Sequence, residues 1–589
     1  MTILPFTRSR SRLPLRLGIG AALSVASLVA LSPQEAEACG GTFCDGGAPM
    51  AVNQTGETIL FRLHDGRVEA HVQIAYNGDP SRFAWLVPVT AIPEVKPGSS
   101  QLFINLLNST VPTYFANFVF AECGGFDDIG FGCGAALDTA DIGSAEFDSG
   151  GEGGEEGGGP ADPEVVARGQ AGAFEYAVLM GQSTAEIVNW LEANGYAQDP
   201  DAPPILDEYV QEGFYFLALK LVPGAGVDEI HPVAFDYEGS EPCVPIRLTR
   251  IAAEEDMGIR TFFLGEERYA PKNFFHVVLN QIAVSWRPTP GADYSDVVTL
   301  AVDEAGGKAF VTEYAGPSNV VDRTGLVGPT WSAQGFANIS PDNVVAELEA
   351  QLVAQGFLFC GGGTCGYTHP LMSGIIDDFI VPPDGVTFGQ LWACTSCYAD
   401  QVDLSAWDSA VFAQRVDERI IAPGVHANEI LTTHSYLTRM YTTMSPHEMT
   451  EDPMFWENPD LPDVAGAQTA SQLANCEGPA WYEFPSGRRL ALADNFSWPL
   501  VPGMPVLEKV ERIPAVGAPM VETDYNAAID EALDAWNANY SFSDTGEVDR
   551  SERERGEGWC SASDVPHGAL YLLGIWGVAG LGRRRRRRA

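Results

Sequence analysis

Residues 57–76 read ETILFRLHDGRVEAHVQIAY, and two runs of alternating apolar and polar residues flank His64-Asp65-Gly66-Arg67. A period of two sends successive side chains to opposite faces of a pleated strand, and Asp-Gly supplies the positive φ that a tight hairpin turn needs. The stretch reads as an antiparallel hairpin, and strand character extends over residues 51–95. FAWLVPV (83–89) continues it as a buried or edge strand, because Pro88 has no N–H for a central ladder. A helical or irregular piece follows near Leu102 to Tyr114.

Downstream, residues 141–163 end in DSGGEGGEEGGGPADP, which has too little apolar surface to form a core and reads as a flexible acidic insert. It lacks the Asp-x-Asp-x-Asp-Gly register of a calcium loop. Order then resumes. FEYAVLM (174–180) alternates as a strand, and Ser183-Thr184-Ala185-Glu186 reads as a capping box ahead of Ile187, Val188, Trp190 and Leu191, with Gly195 closing the helix. A second helix, PPILDEYVQE, ends at Gly213, and FYFLALKLV returns as a strand. PVAFDY, VPIRLTRI and RTFFLG are further expected strands. Strand runs mixed with adjacent helices argue for an α+β fold, strand-rich with several short helices, over a regular parallel βαβ array.

Residues 340–356 are expected to form a helix with Ser340 as N-cap, Pro341 at the first helical position and Val344, Val345, Leu348 and Leu352 on one face. A last helix, Tyr525 to Trp536, should bury Ile529, Leu533 and Trp536. No repeat of solenoid or propeller length is present.

The two ends of the chain carry address signals. Residues 1–38 fit a secretory signal peptide: Arg8, Arg10, Arg12 and Arg16 precede the apolar run LGIGAALSVASLVAL, and Ala36 and Ala38 offer small residues before a cut between Ala38 and Cys39. At the other end, DTGEVDRSERERGEG is a polar stalk leading to Cys560, the fifteen-residue apolar run GALYLLGIWGVAGLG and six arginines, Arg583 to Arg588. Such a run falls short of the ~20 residues that a stable span needs, and its arginines orient it with the basic end inside. The expected organisation is therefore a signal peptide (1–38), an N-terminal β-rich part (39–140), the acidic insert (141–163), a main α+β region (164–480), a C-terminal segment with an amphipathic helix (481–544), a stalk (545–559) and a sorting or anchor signal (560–589).

A formal net charge of −45 over 589 residues repels nucleic acid and anionic lipid surfaces, so nucleic acid is excluded as a partner class. With 45% apolar residues the chain is not disordered overall. Of eleven cysteines, Cys560 belongs to the terminal signal. The other ten, Cys39, Cys44, Cys123, Cys133, Cys243, Cys360, Cys365, Cys394, Cys397 and Cys476, read as disulfide candidates in an oxidising compartment. Local pairs suit Cys39 with Cys44 and Cys123 with Cys133. CGGGTC (360–365) and CTSC (394–397) also have the spacing of a four-thiolate zinc site, and CTSC that of a redox pair, but the oxidising address favours structural bridges.

His426 and Glu429 stand one helical turn apart and His434 two turns beyond His426, a set that would hold a metal ion with an open position. His369 and His447 are further candidates for it. HExxH is absent, since His447-Glu448 is followed by MTE. Ser445-Pro446-His447-Glu448 reads as a helix start. Gly181-Gln182-Ser183-Thr184-Ala185 lacks the second glycine of a nucleophile elbow, and no P-loop or dinucleotide fingerprint occurs.

Two resemblances complete the reading. VNQTGETILF after a cysteine-rich start, FEYAVLMGQSTAEIVNWLEANGY, GGKAFVTEYAG and YLTRMYTTMSPHEMTEDPMF resemble the bacterial DUF2330 family over residues 39 to about 480. That family is uncharacterised and implies no catalytic residues. GWCS, a short span and a terminal arginine block resemble the MYXO-CTERM sorting signal of myxobacterial surface proteins. The resemblance implies cleavage near Cys560 by a sorting protease of the myxosortase type, lipid modification of that cysteine, and anchorage at the cell surface. The expectation is a non-catalytic binding or structural protein of the cell envelope, needing no cofactor. The alternatives are a metal-dependent hydrolase at His426, Glu429 and His434 and a thiol oxidoreductase at Cys394 and Cys397.

Overall fold

The computed structural model describes residues 53–77, 84–120, 163–196, 201–222, 230–251, 253–474, 480–492 and 497–540. The signal peptide, Cys39, Cys44, Cys123, Cys133, Cys476, nearly all of the acidic insert, the stalk and the segment from Cys560 onward lie outside the described residues. The fold is α+β, built on a mixed ten-stranded sheet. In chain order its strands are β1 (Asn53–His64), β2 (Arg67–Asn77), β3 (Glu94–Pro97), β4 (Val233–Glu238), β5 (Ala253–Gly265), β6 (Phe275–Leu279), β7 (Ala309–Pro317), β8 (Tyr436–Met444), β9 (Leu507–Arg512) and β10 (Met520–Asp524). In space they run β10-β9-β6-β7-β8-β5-β1-β2-β4-β3.

The expected hairpin is present. β1 and β2 pair antiparallel from His64↔Arg67 outward, and Asp65 and Gly66 take positive φ at the turn. Ile59 and Phe61 of β1 join Val68, Ala70 and Val72 of β2 in one core, while Leu60 is buried on the opposite face. A four-stranded antiparallel sheet, Ala84–Val89, Tyr215–Leu221, Phe174–Met180 and Glu164–Ala171 in spatial order, packs Trp85, Phe174 and Leu217 into that same core. Pro88 therefore sits on an edge strand, as its missing N–H requires. The outer face of this small sheet is covered by the helices Thr184–Ala193 and Ala202–Glu212 through Ile187, Trp190, Leu206 and Tyr209.

The opposite face of β1, β5 and β8 is covered by the helices Ser100–Thr110 and Ala422–Thr433. A helical subcore gathers Phe336, Leu348, Ile376, Trp392 and Phe412, all between Trp331 and Ile421. Helices Tyr294–Glu304 and Asn526–Asn537 pack on the β6–β9 half of the large sheet with Trp286, Val298 and Ile529.

Several local expectations are corrected. VPIRLTRI is not a strand: Ile246–Thr249 is a short helix whose first turn is held by Asp452, which accepts a bond from the Arg247 backbone N–H at 2.9 Å. The helix expected from Ser340 begins at Val344, because Ser340 to Asn343 closes a turn and Glu347 reaches back to the Ser340 N–H at 2.7 Å. Ser183 caps nothing, although Glu186 does bond the Gln182 N–H. At Ser445 the Glu448 carboxylate closes a turn and no helix follows.

Two disulfides form among the described residues. Cys360–Cys365 crosses directly paired positions of the hairpin Leu358–Gly361 and Thr364–Tyr367, and Cys394–Cys397 bridges CTSC. These sulfurs are thereby occupied as bridges and not as thiolate ligands. Cys243, a disulfide candidate on the sequence, is instead a free thiol, held where its backbone bridges Met454. No helix among the described residues is long and apolar enough to cross a membrane; the apolar run before the arginines lies outside them.

Candidate metal centre

The site is built on the face of β1, β2 and β4 that is turned away from the Phe61 core. Glu69 and His71 are two residues apart on β2, so they share that face while Val68, Ala70 and Val72 enter the core. Register then fixes their neighbours: Arg62 and Asp236 flank Glu69, and Leu60 stands opposite His71. Across this floor lies the helix Ala422–Thr433, which buries Ala427, Ile430 and Leu431 beside Leu60 and Phe262 and brings His426 onto Glu69. A π-helical turn, Asp417–Ile421, precedes it; such turns re-aim the residues that follow and tolerate a proline like Pro423, which has no N–H to give.

His71 Nε2 lies 2.6 Å from Glu69 Oε1, and His426 Nε2 bonds the same oxygen. The two rings stack with centroids 5.7 Å apart. A carboxylate oxygen only accepts, so in this arrangement each imidazole donates its Nε2–H. Burial opposes the charge on Glu69, but the hydrogen bonds from His426 and His71 and their positive charge prevail and hold the carboxyl well below its usual range. Glu69 is therefore an anion with two imidazoles aimed at one of its oxygens.

The other oxygen is differently served. Arg62 Nε donates to Glu69 Oε2 at 2.6 Å, Arg67 Nε donates to Asp236 Oδ1 at 2.6 Å, and His64 Nε2 is 3.1 Å from Asp236 Oδ2. Two groups thus have ligand atoms within 4.8 Å of one another: Glu69, His71 and His426, and His64, Glu69 and Asp236. The second is already neutralised by two guanidinium groups, and a further cation there would meet their repulsion. The first has no such cation on its oxygen, and two imidazoles with one carboxylate suit zinc and its neighbours. A cavity of about 460 Å³ opens beside it, lined by His426 with Lys96, Gln170, Gly172, Gln414 and Glu418. The His71 Nδ1 is buried with no hydrogen-bond partner, so nothing locks that ring from behind.

The set expected from the sequence is not brought together. His426 is in the site, but Glu429 is exposed, and His434 ends the helix, buried with Nδ1 3.1 Å from the Ile430 carbonyl. His369 lies apart in the helical subcore, where burial pushes its pKa down to about 4. His447 lies in the turn after β8. Glu69 and His71 were overlooked; the signal was Glu-Ala-His, two polar residues on one face of an otherwise apolar strand.

Residues 33–324 match the family model described as "Uncharacterized protein conserved in bacteria (DUF2330)". Over those residues, just under half of the chain, the protein is similar to the DUF2330 family. The match takes in His64, Glu69, His71 and Asp236 and ends before His426. No curated protein matches the chain. Among solved structures, that of a mutated baculovirus P35 after caspase cleavage is similar over 37% of this chain and 70% of its own, at 10% identity and a TM-score of 0.20.

Proposed function

We propose that this is an exported protein of the cell envelope that reversibly captures one divalent transition-metal ion at Glu69, His71 and His426. The observation that carries the reading is the convergence of two imidazole nitrogens on one Glu69 carboxylate oxygen, one of them from His426, 357 residues beyond Glu69, beside an open cavity. Loss of the two Nε2 protons turns the same three atoms into a ligand set with a position left open. Reversibility follows from the unsupported His71 Nδ1, since outer partners of ligating histidines are worth about 10–100-fold in affinity. The half-exposed His426 side chain adds to it. A net charge of −45 concentrates cations around the chain.

The address rests on residues 1–38 and on the Cys560-to-arginine segment, which support export, processing by a myxosortase-type protease and anchorage through the C-terminus. Equilibrating the full-length protein with Zn²⁺, dialysing and measuring bound metal tests the capture. One ion per chain is expected, lost in His71→Ala and in His426→Ala while both variants melt cooperatively. Binding of the same stoichiometry in both variants would remove the assignment.

A further inference from the structure

A second polar row stands on the other half of the large sheet. Strands β9, β6 and β7 are neighbours, with His276 of β6 directly opposite Glu511 of β9 and Thr312 on β7 beside them. Glu511 Oε2 is 3.3 Å from His276 Nδ1, and Thr312 Oγ1 is 3.1 Å from His276 Nε2. Burial lowers the His276 pKa; the Glu511 hydrogen bond resists and Arg268 reinforces the shift, so the ring is neutral. Its Nδ1–H then donates to Glu511, and its Nε2 accepts both from the Thr312 hydroxyl and, at 3.3 Å, from Arg268 Nη2.

A carboxylate, an imidazole and a hydroxyl in that order form the relay in which a hydroxyl gives up its proton as it attacks. Arg268 Nη2 donates to Thr312 Oγ1 at 3.0 Å and brings a positive charge to the reacting atom. His276, Thr312, Glu511 and Arg268 all line one cavity of about 410 Å³, a size that suits a small molecule. The β7 ladder slips between Thr312 and Tyr314, and both Thr312 and Glu313 reach the cavity wall there. A bulge of this kind re-aims side chains beside many active sites. The cavity's charges are already matched, since Arg268 stands near Glu511 and Glu313 is paired with Arg439. An uncharged guest fits best.

We propose that this cavity is an acyl-transfer site for small uncharged esters, with Thr312 as nucleophile, His276 as general base and Glu511 as the residue that positions the imidazole. Thr312 Oγ bonds to the ester carbonyl carbon as its proton passes to His276 Nε2. The carbon–oxygen bond to the alcohol breaks, and the departing oxygen takes that proton. Water, giving its proton to His276, then attacks the acyl-threonine; the acid leaves and Oγ recovers its hydrogen. This activity goes beyond metal capture and does not depend on it.

The test uses the full-length protein with p-nitrophenyl acetate as substrate and a fluorophosphonate as covalent probe, followed by peptide mass spectrometry. The expected results are an adduct on Thr312, and hydrolysis reduced about 100-fold or more in Thr312→Val and His276→Gln. Thr312→Ser should retain both, and Glu511→Asp should recover more of kcat than Glu511→Gln at similar KM. Chelator should change nothing, which separates this site from the metal centre. An unlabelled Thr312 in the wild-type protein, or Thr312→Val as active as wild type, overturns the proposal. If Thr312→Val does not fold, the wild-type adduct and the Thr312→Ser result decide alone.

Discussion

His231 Nε2 accepts a hydrogen bond from the backbone N–H of Ala173 at 3.0 Å, and its Nδ1 lies 2.8 Å from the carbonyl oxygen of Pro232. Both ring nitrogens are thereby used by the neutral tautomer. A proton added at Nε2 would face the Ala173 N–H inside the core. Burial pushes the His231 pKa down to about 4; the Pro232 carbonyl works against this shift and Arg419 adds to it. An unfolded histidine titrates near 6.5, so below that pH the unfolded chain binds a proton that the folded one refuses. Stability is therefore highest above 6.5 and is lost as pH falls toward 4, by about 3 kcal/mol from this residue. His369, also depressed to about 4 by burial, acts in the same direction. Urea midpoints measured across that window should fall steeply, and a flat profile would refute the assignment.

Arg439 and Glu313 form an ion pair with both side chains almost fully buried. Arg439 Nη1 also donates to Thr110 Oγ1 at 3.0 Å, tying β8 to the helix Ser100–Thr110. Arg439→Met leaves the Glu313 carboxylate buried without its cation, which costs about 3–5 kcal/mol. Replacing both, as Arg439→Met with Glu313→Leu, should cost less than that single change. Chemical denaturation of the two variants measures the difference, and equal losses would mean that the charge imbalance is not what matters.

The hairpin, the edge position of Pro88 and the two helices on the small sheet were legible because each depends on residues close in sequence. The same holds for Cys360–Cys365, where the hairpin itself aligns the two cysteines. The candidate metal centre was not legible in this way. A helical spacing of His426, Glu429 and His434 suggests one face, but the face that matters is chosen by burial of Ala427, Ile430 and Leu431, which turns Glu429 to solvent. The true neighbours of His426 come from a strand more than 350 residues earlier, through long-range packing that no local pattern encodes. VPIRLTRI failed for a related reason: its strand-like apolar spacing was overridden by a carboxylate, Asp452, from a distant loop.

Gly424 makes the approach of that helix possible. A Cβ built on it would lie 2.0 Å from the backbone carbonyl oxygen of Leu326, and backbone cannot swing aside as a side chain tip can. Gly424→Ala should gain a little intrinsic helix propensity, under about 1 kcal/mol, and lose more through the clash. The expected net result is a destabilisation of about 1–3 kcal/mol. Because His426 follows two residues later, Zn²⁺ affinity should fall with it. Thermal melts together with metal titration check both, and a variant as stable as wild type would show that the helix has room to shift.

Cys243 gives a last prediction. The residue keeps some exposed surface, but desolvation of the thiol, followed by the negative charge of Asp452, raises its pKa well above the ordinary thiol value. Arg247 opposes the shift, but Glu212 and Glu241 support it. Since the thiolate is the reactive form, the native cysteine should be inert even in the oxidising compartment proposed for the protein. Maleimide labelling followed by peptide mapping should find Cys243 modified at least about 100-fold more slowly in the native protein than in urea. The peptides holding Cys360, Cys365, Cys394 and Cys397 should stay unlabelled in both conditions until reductant is added. Rapid native labelling of Cys243, or its recovery in a mixed disulfide, would mean that the pocket around it opens far more often than its burial between Met454 and Asp452 allows.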